Sequence, residues 1–184
     1  MNTITKLSAL RQAGRAAGAL LVAALLLGVA FSVAAAPGAA VLGERVEVSY
    51  RNPAGFTEMD RDFGSRGEWL DELSRYVAQR AARSVPDGAR LLVTITDVQR
   101  AGRLEPWHVN LPPDVRIVRA NAPPRIDLSF QLVAANGAVL KEGSRQLRDV
   151  AFLNRSGLHR GENLAYEKNL IDDWLRRDVG PLRR

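Results

Sequence analysis

From Arg125 to Leu132, apolar and polar residues alternate without a break. Ile126, Leu128, Phe130 and Leu132 share one face, and Arg125, Asp127, Ser129 and Gln131 share the other. That period belongs to a strand buried on one side only. Asn136-Gly137 follows, the strongest two-residue hairpin signal, because both central positions of that turn need positive φ. The segment Ala138–Asp149 is therefore expected to return antiparallel. In that register Gly143 falls opposite Phe130, whose ring can cover the bare backbone. An antiparallel sheet can leave one polar face in water, so the rest of the chain has only the apolar face to cover.

The other elements fit that task. Val46, Val48 and Tyr50 alternate with Arg45, Glu47 and Ser49 as a half-buried strand, ended by Asn52-Pro53 and Gly55. Phe56 to Phe63 reads as a loop held by its two rings. Ser65-Arg66-Gly67-Glu68 fits a capping box and opens a helix with Leu70, Leu73, Val77 and Ala81 on its apolar stripe. Pro86-Asp87-Gly88 stops it. Leu91 to Val98 alternates as a strand, and Val115 to Val118 is a shorter one. A second helix runs from about Asn163, its expected cap, to Asp178, with Leu164, Ile171, Trp174 and Leu175 inward. The order is β-α-β-β-β-β-α. It predicts a single α+β domain, a largely antiparallel sheet of about four to five strands with two helices on one face.

The beginning of the chain obeys different rules. Lys6, Arg11 and Arg15 precede an apolar, Ala-rich run from Ala16 to Ala30, followed by small residues to Ala36. Basic, apolar, then small is the build of a cleaved bacterial export signal. The run is short for a lasting span of about 20 residues. Residues 1–35 are thus expected to leave, with 36–44 a flexible lead, 45–179 the domain and 180–184 a basic tail. This places the mature protein in the periplasm without a stable membrane anchor. There is no cysteine for a disulfide or an N-terminal lipid. Without the leader's three cations, 23 basic residues face 20 acidic ones, a net charge of +3. That mild excess, in an exported protein, argues against a nucleic-acid partner.

Chemistry-bearing patterns are sparse. Asp97 and Asp149 end strands, and with Glu167, Asp172 and Asp173 they form the only candidate acidic cluster for acid–base or metal work. No spacing ties them together, and capping or pairing with arginines is the simpler reading. His108 and His159 lack neighbours at ligand spacing, so no metal or cofactor is expected. No serine sits in a nucleophile elbow. Trp107, in the Glu105-Pro106-Trp107-His108 loop ahead of Pro112-Pro113, is either a binding platform or a lid over the core.

The succession of motifs resembles a known family. It comprises Val46-Glu47-Val48, Phe56-Thr57, Pro86-Asp87-Gly88, Thr94-Ile95-Thr96-Asp97-Val98, Ala101-Gly102, Glu105-Pro106-Trp107, Pro124-Arg125, Gly143, Leu147-x-Asp149, Tyr166-Glu167-Lys168 and Asp173-Trp174. In this order, over about Arg45 to Asp178, they resemble a family of exported proteobacterial proteins classed as domain of unknown function 3016. Gln99-Arg100 departs from the acidic and apolar pair usual there, and Arg103 and the 110–123 loop are this chain's own. The resemblance implies a periplasmic α+β domain and no activity. It leaves Arg125, Asp149, Glu167, Lys168 and Trp174 as either a buried polar network or a ligand site.

Two functions are in contention, beside a third reading as a purely structural accessory with no pocket. One is a non-enzymatic envelope domain that binds a protein partner or small ligand through Trp107 and the polar face of Arg125, Asp127, Ser129 and Gln131. Asp97, Asp149, Glu167 and Lys168 are its further candidate residues. The other is a metal-dependent or acid–base hydrolase, which needs Asp97, Asp149 and Glu167 within about 5–8 Å of one another.

Overall fold

The structure, a computed structural model, describes residues 41–43, 45–59, 67–105, 107, 112, 115–155 and 159–180. The segment expected to be an export leader, Phe63, Ser65 of the expected capping box, and His108 lie outside the described residues.

Five strands form one sheet in the order β1 (Val41–Gly43), β2 (Val46–Tyr50), β3 (Arg90–Gln99), β6 (Arg125–Val133), β7 (Val139–Arg148). Only β2 and β3 run parallel; every other neighbouring pair is antiparallel. Helix α1 (Glu68–Ala82) makes the crossover between the two parallel strands, and α2 (Ala165–Asp178) closes the fold. The remaining strands, β4 (Arg103–Leu104) and β5 (Arg116–Ile117), make a separate two-stranded ribbon. The predicted 115–118 strand is this ribbon's second arm and stands outside the main sheet. Val41–Gly43, assigned above to the lead, pairs with β2 as an edge strand.

The alternation read from the sequence sets the core. Val46, Val48, Leu91, Val93, Ile95, Ile126, Leu128 and Phe130 are all buried together with Leu73, Val77, Leu170, Ile171, Trp174 and Leu175 of the helices. Trp174 is fully buried, and its ring meets Phe130 edge-on at 5.5 Å. The opposite face is polar and no described element covers it. Ser49, Thr94, Ser129 and Ser144 lie in one row across four strands, and the Ser49 and Thr94 hydroxyls are 3.2 Å apart.

The β6–β7 hairpin has the predicted pairing by another turn. Phe130 does face Gly143. However, only Gly137 has positive φ, at 84°, and the loop closes through Gly137 N–H to Ala134 O and Ala134 N–H to Ala138 O. This is a three-residue loop with a left-handed third residue, and a register shift between Leu132 and Val133 restores the pairing. Gly143 is not covered by the Phe130 ring alone. The Arg145 guanidinium lies over that ring at 5.4 Å, and a Cβ at Gly143 would come within 2.8 Å of it.

Helix entries also differ from expectation. Helix α1 starts directly after Gly67, at φ 88°. Before α2, Leu164 takes φ 57°, and Asn163 makes no cap. Its amide instead donates to Glu72 at 2.6 Å and accepts from Arg100, so a contact to α1 displaces the local capping bond. Among the described residues no helix is long and apolar enough to cross a membrane.

Candidate functional site

Among the described residues, the charged residues singled out from the sequence fall in four polar clusters. The first lies at the end of β3, where a bulge between Ile95 and Asp97 keeps Asp97 on the open face, opposite Asp127. The Thr57 backbone N–H and hydroxyl each donate to Asp97 at 2.7 Å. Arg125 pairs with Asp97, and its Nε stands 3.9 Å from Asp127. Partial burial works to raise the Asp97 pKa, but the Thr57 bonds and Arg125 outweigh it and hold the carboxyl below its ordinary value. Asp97 is therefore an ionised acceptor, poorly suited to release or take a proton near neutrality.

The second place is the base of the β4–β5 ribbon. Glu58, 1% exposed, pairs with Arg116 and accepts the Arg100 backbone N–H at 2.9 Å. Glu167, also buried, accepts the Ala101 N–H at 2.6 Å. Burial pushes the Glu167 pKa up despite that bond and the nearby charges of Arg100 and Arg116. Arg116 donates onward to the Gly102 carbonyl at 3.1 Å. Gly102 has φ 75°, and a Cβ there would collide with the Ile117 carbonyl and stand 2.8 Å from the Val118 Cα. Two buried carboxylates and one obligatory glycine thus brace the ribbon that leads to Trp107. That residue is 71% exposed, so its ring does not close the core.

The third place is the seam between α1 and α2. Arg80 grips Asp172 with two bonds, of 2.8 and 3.1 Å, and the Tyr76 hydroxyl donates to Asp172 at 2.7 Å. His159 Nε2 lies 2.9 Å from the Tyr76 oxygen and 3.3 Å from Asp172. Lys168 pairs with Glu72 and Glu162, each at 3.0 Å. Burial works to raise the Asp172 pKa, yet Arg80, Tyr76 and His159 lower it overall. Burial likewise works against the Lys168 charge, but Glu72 and Glu162 raise its pKa. Every charge at this seam is matched, as buried ions require.

The fourth is superficial. Arg155 bridges Asp149, at 3.1 Å, to Asp173, and Asp149 also accepts the Ala151 N–H at 2.9 Å.

Of the residues singled out from sequence, Asp97 and Arg125 meet. Glu167 and Lys168 are neighbours on α2 but join different networks. Asp149 belongs to the superficial bridge. Among the described residues, Asp97, Asp149 and Glu167 share no bonding partner. Among the described residues no group of three or more His, Cys, Asp or Glu is placed to hold a metal ion. Sequence reasoning missed Glu58 and the Tyr76–His159–Asp172 contact, both made by segments far apart in the chain. Lys168 left a signal: helical spacing puts it on the stripe of Leu164, Ile171 and Leu175, where a charge must find a partner.

A family model described as protein of unknown function (DUF3016) matches residues 44–177. No curated protein matches the chain.

Proposed function

The chain belongs to the DUF3016 family, a family of unknown function, and from that premise we propose that it is a non-enzymatic binding domain of the cell envelope. It acts in the periplasm after export by its N-terminal leader, and it takes a protein partner or small ligand through Trp107 and the open sheet face. The observation that carries this reading is an exposed tryptophan three residues past β4 of the ribbon whose base is held by Glu58 and Glu167. A large aromatic left in water costs solvation, and burying such a ring against a partner is how a few residues come to carry most of a binding energy. Arg125, Asp127, Ser129 and Gln131 supply hydrogen-bonding groups on the uncovered face. The hydrolase reading receives less support, since its three carboxylates are each engaged by separate partners.

The test places a photo-crosslinking amino acid at Trp107, at Gln131 and, as control, at Gln79, exposed on α1, in cells producing the full-length chain. Adducts of one mass from positions 107 and 131, lost when Trp107→Ala is combined with the probe at 131, support the reading. Adducts equally frequent at 79, or none at 107, overturn it. N-terminal sequencing of the envelope fraction should begin near Ala35, and an intact Met1 there would refute export by cleavage.

A further inference from the structure

The two edges of the sheet are unequal. Strand β1 has three residues, whereas β7 has ten and no strand on its outer side among the described residues. Long edges are usually guarded by charges that oppose pairing. Here Lys141 and Arg145 are part-matched by the single Asp178 carboxylate at the end of α2, at 3.0 and 2.7 Å, which lowers their opposition to pairing without abolishing it. Exposed large apolar residues flank the same strand, Val139 and Leu140 at its start and Val150 and Leu153 beyond its end. Antiparallel self-pairing brings one copy's start alongside the other copy's end, so these residues would cover one another.

We propose that β7 pairs with β7 of a second copy, antiparallel about a two-fold axis at Ser144, to make a continuous sheet through both protomers. The side-chain pattern selects that register. Residues opposite each other must share a face, so the axis falls on a residue. An axis at Gly143 sets Lys141 against Arg145 of the second copy. An axis at Arg145 sets that residue against itself. Like charges directly opposed disfavour both. An axis at Ser144 sets Glu142 against Gln146 and Lys141 against Leu147, and it puts Glu142 diagonal to Arg148 twice by symmetry. The hydroxyl row from Ser49 through Thr94, Ser129 and Ser144 then runs unbroken across the axis.

The chain has no cysteine, so a single introduced thiol reports the axis. In protein made from the full-length coding sequence, Ser144→Cys should oxidise to a disulfide dimer, because a residue on the axis meets its own copy. Thr94→Cys, two strands inside the edge, should stay uncrosslinked. By sedimentation, Glu142→Arg should weaken the dimer about tenfold, and adding Arg148→Glu should restore it by exchanging the two charges. A parent chain that sediments as a monomer throughout the micromolar range overturns the proposal. So does Ser144→Cys crosslinking no better than Thr94→Cys, or a double variant no tighter than Glu142→Arg.

Discussion

Replacing Trp174 by alanine separates a docked second helix from a loosely attached one. The side chain is fully buried, and its ring meets Phe130 at an interplanar angle of 69°. Truncating a buried aromatic costs ~3–5 kcal/mol in lost transfer and cavity. The lost edge-on contact contributes about 0.5–1.5 kcal/mol. One local effect opposes these. The indole Nε1 is buried without a hydrogen-bond partner among the described residues, and such a group costs about 1–3 kcal/mol that truncation relieves. The net loss for Trp174→Ala should be about 3 kcal/mol, a large share of the ~5–15 kcal/mol available to a domain. Trp174→Phe keeps a ring against Phe130 and discards the unpaired N–H, so it should lie within about 1 kcal/mol of the parent. Trp107→Ala, at an exposed ring, should stay within about 0.5 kcal/mol. Urea unfolding followed by far-UV circular dichroism, with midpoints compared at constant slope, measures all three. Equal small losses for Trp174→Ala and Trp107→Ala would refute the core assignment. A phenylalanine variant as damaged as the alanine one would refute the argument from the unpaired N–H.

Gly102→Ala should cost about 2 kcal/mol or more, from a left-handed backbone and a collision with the Ile117 carbonyl; a thermal midpoint equal to the parent's would contradict this. Glu167 has a folded-state pKa above its ordinary value, so its contribution is fullest at low pH and is lost as pH rises through the folded pKa. Glu167→Gln should therefore gain stability relative to the parent as pH rises above the ordinary glutamate value of ~4.3, as thermal melts from acid to neutral pH would record. Asp172 has the opposite sign: its pKa is lowered, so its contribution is present above the unfolded value near ~3.9 and disappears as pH falls through the lower folded value. Asp172→Asn should lose about 1–3 kcal/mol at neutral pH and show a shallower acid-side decline than the parent in the same melts.

Local periodicity made most of the architecture legible. The alternation at Arg125–Leu132 and the stripes of both helices announced which side chains would be buried, because strand and helix faces follow from backbone geometry alone. Legibility failed wherever a distant segment outbid a local preference. Asn163 is a good cap by type, yet Glu72 and Arg100 claim its side chain. Asn136-Gly137 marked the turn but not its kind, since one positive φ and a bulge reach the same strand pairing. Glu58 carried no signal at all. Its neighbours in sequence are ordinary, and its partners Arg100 and Arg116 come from more than forty residues away along the chain. Asp97, Glu167 and Lys168 were recognised as candidates, but whether they converge depends on how three elements dock, and periodicity is silent on docking.

The single parallel pair in the sheet also imposes an order of assembly. Strands β6 and β7 are joined by a short turn, so their ends meet at little entropic cost, whereas Val46 reaches its neighbour Leu91 only after the whole α1 crossover has been folded back. Closing that longer loop brings no sheet contact until β3 is already in place to receive β2. The C-terminal half of the sheet is thus expected to serve as the template for the N-terminal strands. Native-state hydrogen exchange should then find the backbone amides of β2 opening before those of β6.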